Sequence, residues 1–139
     1  MNAVFADTFY WIAITNLQDL SHEKAKALTL SSMPRALCTT EEVLTEYLNY
    51  FAAWGPNFRR KASINVQDMM ENRTVQIVSQ TTTSFSAGLY LYCARLDKGY
   101  SLTDCISMET MRLNSITDVL TNDAHFEQEC FRVPFESMD

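Results

Sequence analysis

Short apolar runs separated by longer stretches of helical periodicity are the feature that most constrains how this chain can fold. Ala3-Val4-Phe5-Ala6 reads as a buried strand, and Met33 to Cys38 and the β-branched Thr74 to Ser79 contain two more. Asp118 to Thr121 reads as a fourth strand, and Phe131 to Pro134 as a last, edge strand. Helix patterns lie between them at Thr8 to Thr15, Ser21 to Ser31, Thr40 to Trp54, Phe58 to Glu71, Thr82 to Leu96 and Leu102 to Leu113. Gly55-Pro56 breaks one pair of these, and Asp97-Lys98-Gly99 turns between another. Strands separated by helices of this length pair in parallel through crossovers, which predicts an α/β sandwich. Ligands in such sheets gather at the carboxyl ends of the strands, so chemistry is expected at that edge.

The chain has 139 residues with an apolar fraction of 47%, enough for one domain, read as residues 1–139, with a sizeable core. Its 3 Gly and 3 Pro leave little room for linkers or long loops. No run approaches the ~20 apolar residues of a membrane helix. The apolar stretch Ala3 to Leu17 lacks a basic flank and carries Asp7 in its middle, which makes it a poor signal peptide and points to the cytoplasm. Cys38, Cys93, Cys105 and Cys130 form no C-x-x-C pair, so they read as free thiols and not as zinc ligands. The net charge of −6 argues against non-specific, charge-driven binding of nucleic acid. It is compatible with action on phosphates if several acids share bound cations, which invert the local sign.

Four acids stand out. Asp7 directly follows the first strand, where it is either a metal ligand or the N-cap of the next helix. Glu46 sits at the edge of the apolar stripe of Thr40 to Trp54, as a ligand or a solvated glutamate. Thr39 and Glu42 have the form of a capping box, which sets Glu41 and Glu42 aside. Asp104 shares a helix face with Met108 and Met111, and an acid facing a core needs a partner or a metal. Its other reading is a capping box with Ser101; one carboxylate is not expected to serve both roles fully. Asp123 follows the fourth strand, as a ligand or a turn residue, whereas Asp118 precedes that strand at the wrong end of the sheet. His125, two residues beyond Asp123, either orients substrate or water or, the favoured reading, is a helix-start histidine without a role, and His22 reads as a surface residue. Together the strand and helix positions of the acids put three or four of them at one edge of a parallel sheet, where carboxylates repel one another unless cations neutralise them. Mg²⁺ and Mn²⁺ take such oxygen ligands, which leads to hydrolysis of phosphodiesters by metal-activated water. No Gly-rich phosphate loop and no Ser-His-Asp motif is present.

In these residues the chain resembles PIN-domain proteins, and VapC-type toxins in particular, over nearly its whole length. Val-Phe-Ala-Asp7-Thr8-Phe is similar to the family's first motif and Thr39-Thr-Glu-Glu-Val-Leu-Thr-Glu46 to its second. Asp97-Lys-Gly-Tyr-Ser-Leu-Thr-Asp104-Cys is similar to the third, and Val119-Leu-Thr-Asn-Asp123-Ala-His-Phe to the fourth. The resemblance implies a three-layer α/β/α sandwich with a central, mostly parallel sheet. It implies Mg²⁺- or Mn²⁺-dependent cleavage of RNA by Asp7, Glu46, Asp104 and Asp123, with Asp7, Asp104 and Asp123 as metal ligands and Thr8 and Thr121 as hydroxyl supports. It also implies a homodimer and a cognate antitoxin that silences the toxin. One departure is Cys130, where relatives often carry Gly, at the turn into the last strand.

Arg95 and Lys98, near the third motif, are the candidates for phosphate contact, while Arg59, Arg60 and Lys61 read as a solvated helix face. Two other functions fit the same residues less well. A catalytically silent binding module of this fold would not need all four acids, and a DNA-directed nuclease would be larger and carry DNA-gripping elements. A nuclease of RNA processing outside any toxin pair shares the same site.

Overall fold

The computed structural model describes residues 3–32 and 35–134. In chain order its elements are β1 (Val4–Ala6), α1 (Thr8–Thr15), α2 (His22–Ser32), β2 (Leu37–Thr40) and α3 (Glu41–Tyr50). They continue with α4 (Pro56–Glu71), β3 (Val75–Val78), α5 (Thr82–Ala94), α6 (Leu102–Leu113), β4 (Val119–Leu120) and α7 (His125–Gln128). The four strands form one sheet in the order β3-β2-β1-β4, parallel at every pairing. This is the α/β/α arrangement expected. Right-handed crossovers carry the chain outward from β1 through β2 to β3, then back past β1 to β4. The helices of the outward crossovers therefore lie on one face, where α1 packs on α2 and α3, and α3 on α4. The return crossover places the packed pair α5 and α6 on the other face. The order reverses at β1, so the crevice between the carboxyl ends of β1 and β4 is the switch point where parallel sheets take ligands.

Covered on both faces, the central strands have no need of polar alternation. Val4, Phe5, Ala6, Val119 and Leu120 are all essentially inaccessible. Tyr47 and Phe51 fill one side and Met108 and Met111 the other. Among the described residues no helix is long and apolar enough to cross a membrane.

Several expectations need correction. Strand β2 begins at Leu37 and runs to Thr40, later than the segment expected, while Met33 and Pro34 lie outside the described residues. The cap of α3 is Thr40, whose Oγ1 accepts from the Val43 amide at 3.1 Å; Thr39, carried inward by the strand alternation, donates its hydroxyl to Ala6 O. Glu42 is a first-turn acid of α3, and Glu41, beside it, accepts from the Gln80 amide at 2.7 Å. Helix α3 ends at Tyr50, and Gly55, at φ 96°, becomes the N-cap of α4 with Pro56 in its first turn. The last edge strand is reduced to a single parallel bridge between Asp118 and Arg132. Both guanidinium nitrogens of Arg132 that face Asp118 bond to it, and Arg35 reaches it from the other side. These bonds to Arg132 and then Arg35 hold the Asp118 carboxyl below its ordinary range, so this acid fastens the amino end of the sheet.

Helix α7 ends in a Schellman motif: the Phe131 amide bonds Phe126 O at 3.0 Å and the Cys130 amide bonds Glu127 O at 2.9 Å. The motif needs a left-handed residue at Cys130, which has φ 71°. A side chain there costs roughly 1–2 kcal/mol relative to glycine, part of which is returned by the looser unfolded chain of a glycine variant. Cys130→Gly is therefore expected to raise stability by about 0.5–1 kcal/mol, read as an upward shift of the urea midpoint with an unchanged slope; a lower midpoint would contradict it.

Candidate active site

The pairing of β1 with β4 sets the centre of the site. Phe5 and Ala6 lie beside Val119 and Leu120, and the Asp7 amide continues the ladder to Leu120 O at 3.2 Å. The first residues past each strand, Asp7 and Thr121, thus become neighbours, and Thr121 Oγ1 donates to Asp7 Oδ2 at 2.9 Å. The same hydroxyl accepts from the Asp123 amide at 3.1 Å, so one buried threonine fixes both strand exits. Asp7 occupies the N-cap position of α1, yet its carboxylate makes no cap bond to the helix. It stands at the helix start without closing the usual cap, and its carboxylate lies close enough to Asp104 and Glu46 to feel their charge.

Glu46 arrives from α3, and Thr8 Oγ1 donates to its Oε1 at 2.6 Å. Asp104 arrives from the first turn of α6. Both halves of its capping box with Ser101 are formed: Ser101 Oγ accepts from the Asp104 amide at 3.0 Å, and Asp104 Oδ2 accepts from the Ser101 amide at 3.2 Å. Contrary to expectation, the cap does not withdraw the carboxylate from the cluster. The bond that fixes the helix start also holds the acid at the crevice, 3.7 Å from His125 Nδ1.

Electrostatics show that the acids share one space. The Asp7 carboxyl, 7% exposed, is pushed up to about 7, first by burial and then by Asp104, with Glu46 adding and the Thr8 amide and Thr121 hydroxyl opposing. Burial raises Asp104 too; the Ser101 amide opposes this, while Asp123 and Glu46 add to it. Four carboxylates from four separate chain segments therefore act on one another. The tightest set is Asp104, Asp123 and His125, whose candidate ligand atoms all lie within 4.8 Å of one another. Asp7, expected as a ligand, falls outside that tightest set, and His125, expected to have no role, falls inside it.

The donor set suits a hard divalent cation. Carboxylate oxygens dominate it, burial and then neighbouring carboxylates raise Asp7 and Asp104, and a buried His125 Nδ1 among them has no hydrogen-bond partner.

The basic candidates are placed differently. Arg95 donates Nε and Nη2 to Glu129 at 2.8 and 3.2 Å, a fork that leaves it little freedom to meet a phosphate. Lys98 is partly exposed, with Asp97 3.8 Å away. Arg59 and Arg60 bond Ala52 O and Asn57 on their own face. Sequence reasoning missed Glu129, which also accepts from Arg112 at 2.7 Å and from Tyr100 Oη at 2.9 Å. These partners, Arg95 first, hold its carboxyl down to about 2. No local pattern marks this network, since its members come from α5, the following loop, α6 and the end of α7. His125 did carry a signal, its place two residues after Asp123.

No known family's sequence profile matches the chain, and no curated protein sequence does. The crystal structure of Mycobacterium tuberculosis VapC20, described as a sarcin-ricin loop cleaving toxin, is similar over 93% of this chain and 96% of its own, with a TM-score of 0.82 and 23% identity. The fold is PIN-like. At that identity the likeness is one of architecture, and the roles of the acids on this PIN-like sheet rest on the geometry above.

Proposed function

We propose that this chain is a divalent-metal-dependent endoribonuclease, a single PIN domain spanning residues 1–139 and the toxin of a VapBC-type pair. The observation that carries the reading is the convergence of Asp7, Glu46, Asp104 and Asp123 at the carboxyl edge of the sheet, close enough that their charges add to what burial does in raising the proton affinity of Asp7 and Asp104. RNA as substrate is supported by the VapC20 structure, whose description names the sarcin-ricin loop as its target.

In this reading Asp7, Asp104 and Asp123 hold Mg²⁺ or Mn²⁺, and Glu46 completes the negative pocket and orients the attacking water. The bound ion supplies a more acidic water and charge neutralisation at the phosphoryl oxygen. Thr121 fixes Asp7 relative to Asp123, and Thr8 fixes Glu46, so the carboxylates are positioned before the ion arrives. Lys98 is the nearer candidate for a phosphate contact, because the guanidinium of Arg95 is engaged by Glu129. The toxin acts in the cytoplasm. It forms a homodimer and is silenced by a cognate antitoxin that covers the acids.

The test is cleavage of matched RNA and DNA oligonucleotides with Mn²⁺, with Mg²⁺ and with EDTA, by the wild type and by Asp104→Asn. Cutting of RNA alone, lost with EDTA and reduced at least ~10²-fold in the variant, is expected. Equal cutting of DNA would remove the RNA specificity, and full activity in EDTA would remove the metal.

A further inference from the structure

The turn after β4 closes when the His125 amide donates to Asp123 Oδ1 at 2.9 Å. This tips the imidazole toward the acids. Its Nδ1 lies 3.1 Å from Asp123 Oδ1 and 3.7 Å from Asp104 Oδ2. The atom is buried and makes no hydrogen bond: Asp104 is too far for one, and Asp123, though near, is not aligned for it. With its proton on Nε2, the ring would turn a lone pair toward two carboxylates, which is repulsive unless a cation lies between them. With its proton on Nδ1, the ring could direct that proton well at neither oxygen. A cation that accepts all three lone pairs resolves the conflict.

Packing holds the ring in this orientation. Tyr100 lies against it with ring centres 5.1 Å apart, and Tyr100 is itself anchored through its hydroxyl to Glu129. Gly99 lies beside the ring edge, where an added Cβ would make only ordinary contact, 3.6 Å from Cε1 and Nε2.

We propose that His125 Nδ1 is a direct ligand of the divalent ion, together with Asp104 and Asp123, and that this nitrogen makes the site favour Mn²⁺ over Mg²⁺. Carboxylate, carbonyl and water oxygens suit Mn²⁺ and Mg²⁺ alike, so an imidazole, a ligand of first-row transition metals, is what would separate the two. The inference rests on the metal-dependent reading above and specifies its ion.

Pulsed electron paramagnetic resonance on the full chain loaded with Mn²⁺ is expected to show ¹⁴N coupling from a bound imidazole. The only other histidine, His22, has its Nδ1 2.7 Å from Ala13 O, at a helix connection. In His125→Gln the coupling is expected to vanish. Calorimetric Mn²⁺ affinity should fall at least ~10-fold, with Mg²⁺ affinity changed much less. Mn²⁺ bound to wild type without nitrogen coupling overturns the inference and leaves the nuclease reading intact. An equal loss of affinity for both ions overturns the preference. No ion bound by wild type removes the metal-dependent reading and this inference with it. Because the wild-type spectrum is decisive alone, the test does not depend on the stability of the variant.

Discussion

Asp7→Asn is expected to stabilise the metal-free protein at pH 8 while abolishing its cleavage of RNA. The folded state raises the Asp7 carboxyl from its ordinary 3.8 to about 7. A carboxyl raised in this way contributes stability in full below about 3.8, and that contribution is lost as pH climbs through about 7. Above this window the metal-free protein holds a buried anion beside Asp104 and Glu46. At about 1.4 kcal/mol for each tenfold change, the rise corresponds to roughly 4 kcal/mol as an upper figure. Asparagine removes the charge, and its side-chain oxygen can still accept from the Thr121 hydroxyl. The variant should therefore gain about 2–4 kcal/mol at pH 8 and close to nothing at pH 4. Added Mn²⁺ should stabilise the wild type and leave the variant nearly unmoved. Activity should fall at least ~10²-fold. Denaturant melts at both pH values and a gel assay read these outcomes. A gain over the wild type no larger at pH 8 than at pH 4 would show that charge is not what Asp7 contributes. A variant that cleaves normally would remove it from the reaction.

Gly88→Val should lower stability by about 3 kcal/mol or more. Gly88 lies within α5, where glycine is otherwise unfavourable, and it is buried against α6. A Cβ there would meet Ile106 Cγ1 at 2.4 Å and the Ile106 backbone nitrogen and Cα at 3.1 and 3.2 Å. Rotating the Ile106 side chain relieves only the first contact, so the helices must separate. Helix α6 carries Asp104 in its first turn, and separation displaces the acid from the crevice. Cleavage should therefore drop at temperatures where the variant is still folded. Gly88→Ala is the milder probe, because a helix-propensity gain of about 1 kcal/mol offsets part of the clash. Shortening the neighbour, in Gly88→Ala with Ile106→Ala, should show positive coupling in a double-mutant cycle. Strict additivity, or a Gly88→Val variant that melts with the wild type, would refute the packing argument.

Sequence patterns revealed the architecture because they are local. Val4 to Ala6 and Val119 to Leu120 are apolar without alternation, as strands covered on both faces must be, and all four described strands coincide with or overlap expected runs. The carboxyl ends of β1 and β4 could be located from those runs alone, which is why Asp7 and Asp123 were singled out. Boundaries were less legible. Thr39 and Thr40 are the same residue type in adjacent positions, and only the direction each faces in β2 decides which caps α3 and which bonds Ala6. Phe131 to Pro134 has strand-like composition, but after the Schellman turn at Cys130 only Arg132 pairs, in a parallel bridge to Asp118 through backbone bonds to Thr117 and Val119.

By itself, then, the sequence determined the order of strands and helices and which acids stand at strand exits, because periodicity and chain adjacency are written along one dimension. Only the tertiary structure decided that Asp104 caps its helix and faces the crevice with the same carboxylate, and that Arg95 is held by Glu129. It alone placed an unbonded nitrogen of His125 between two acids. Those outcomes bring together residues distant in the chain, 34 positions apart for Arg95 and Glu129, and are set by how the return crossover packs.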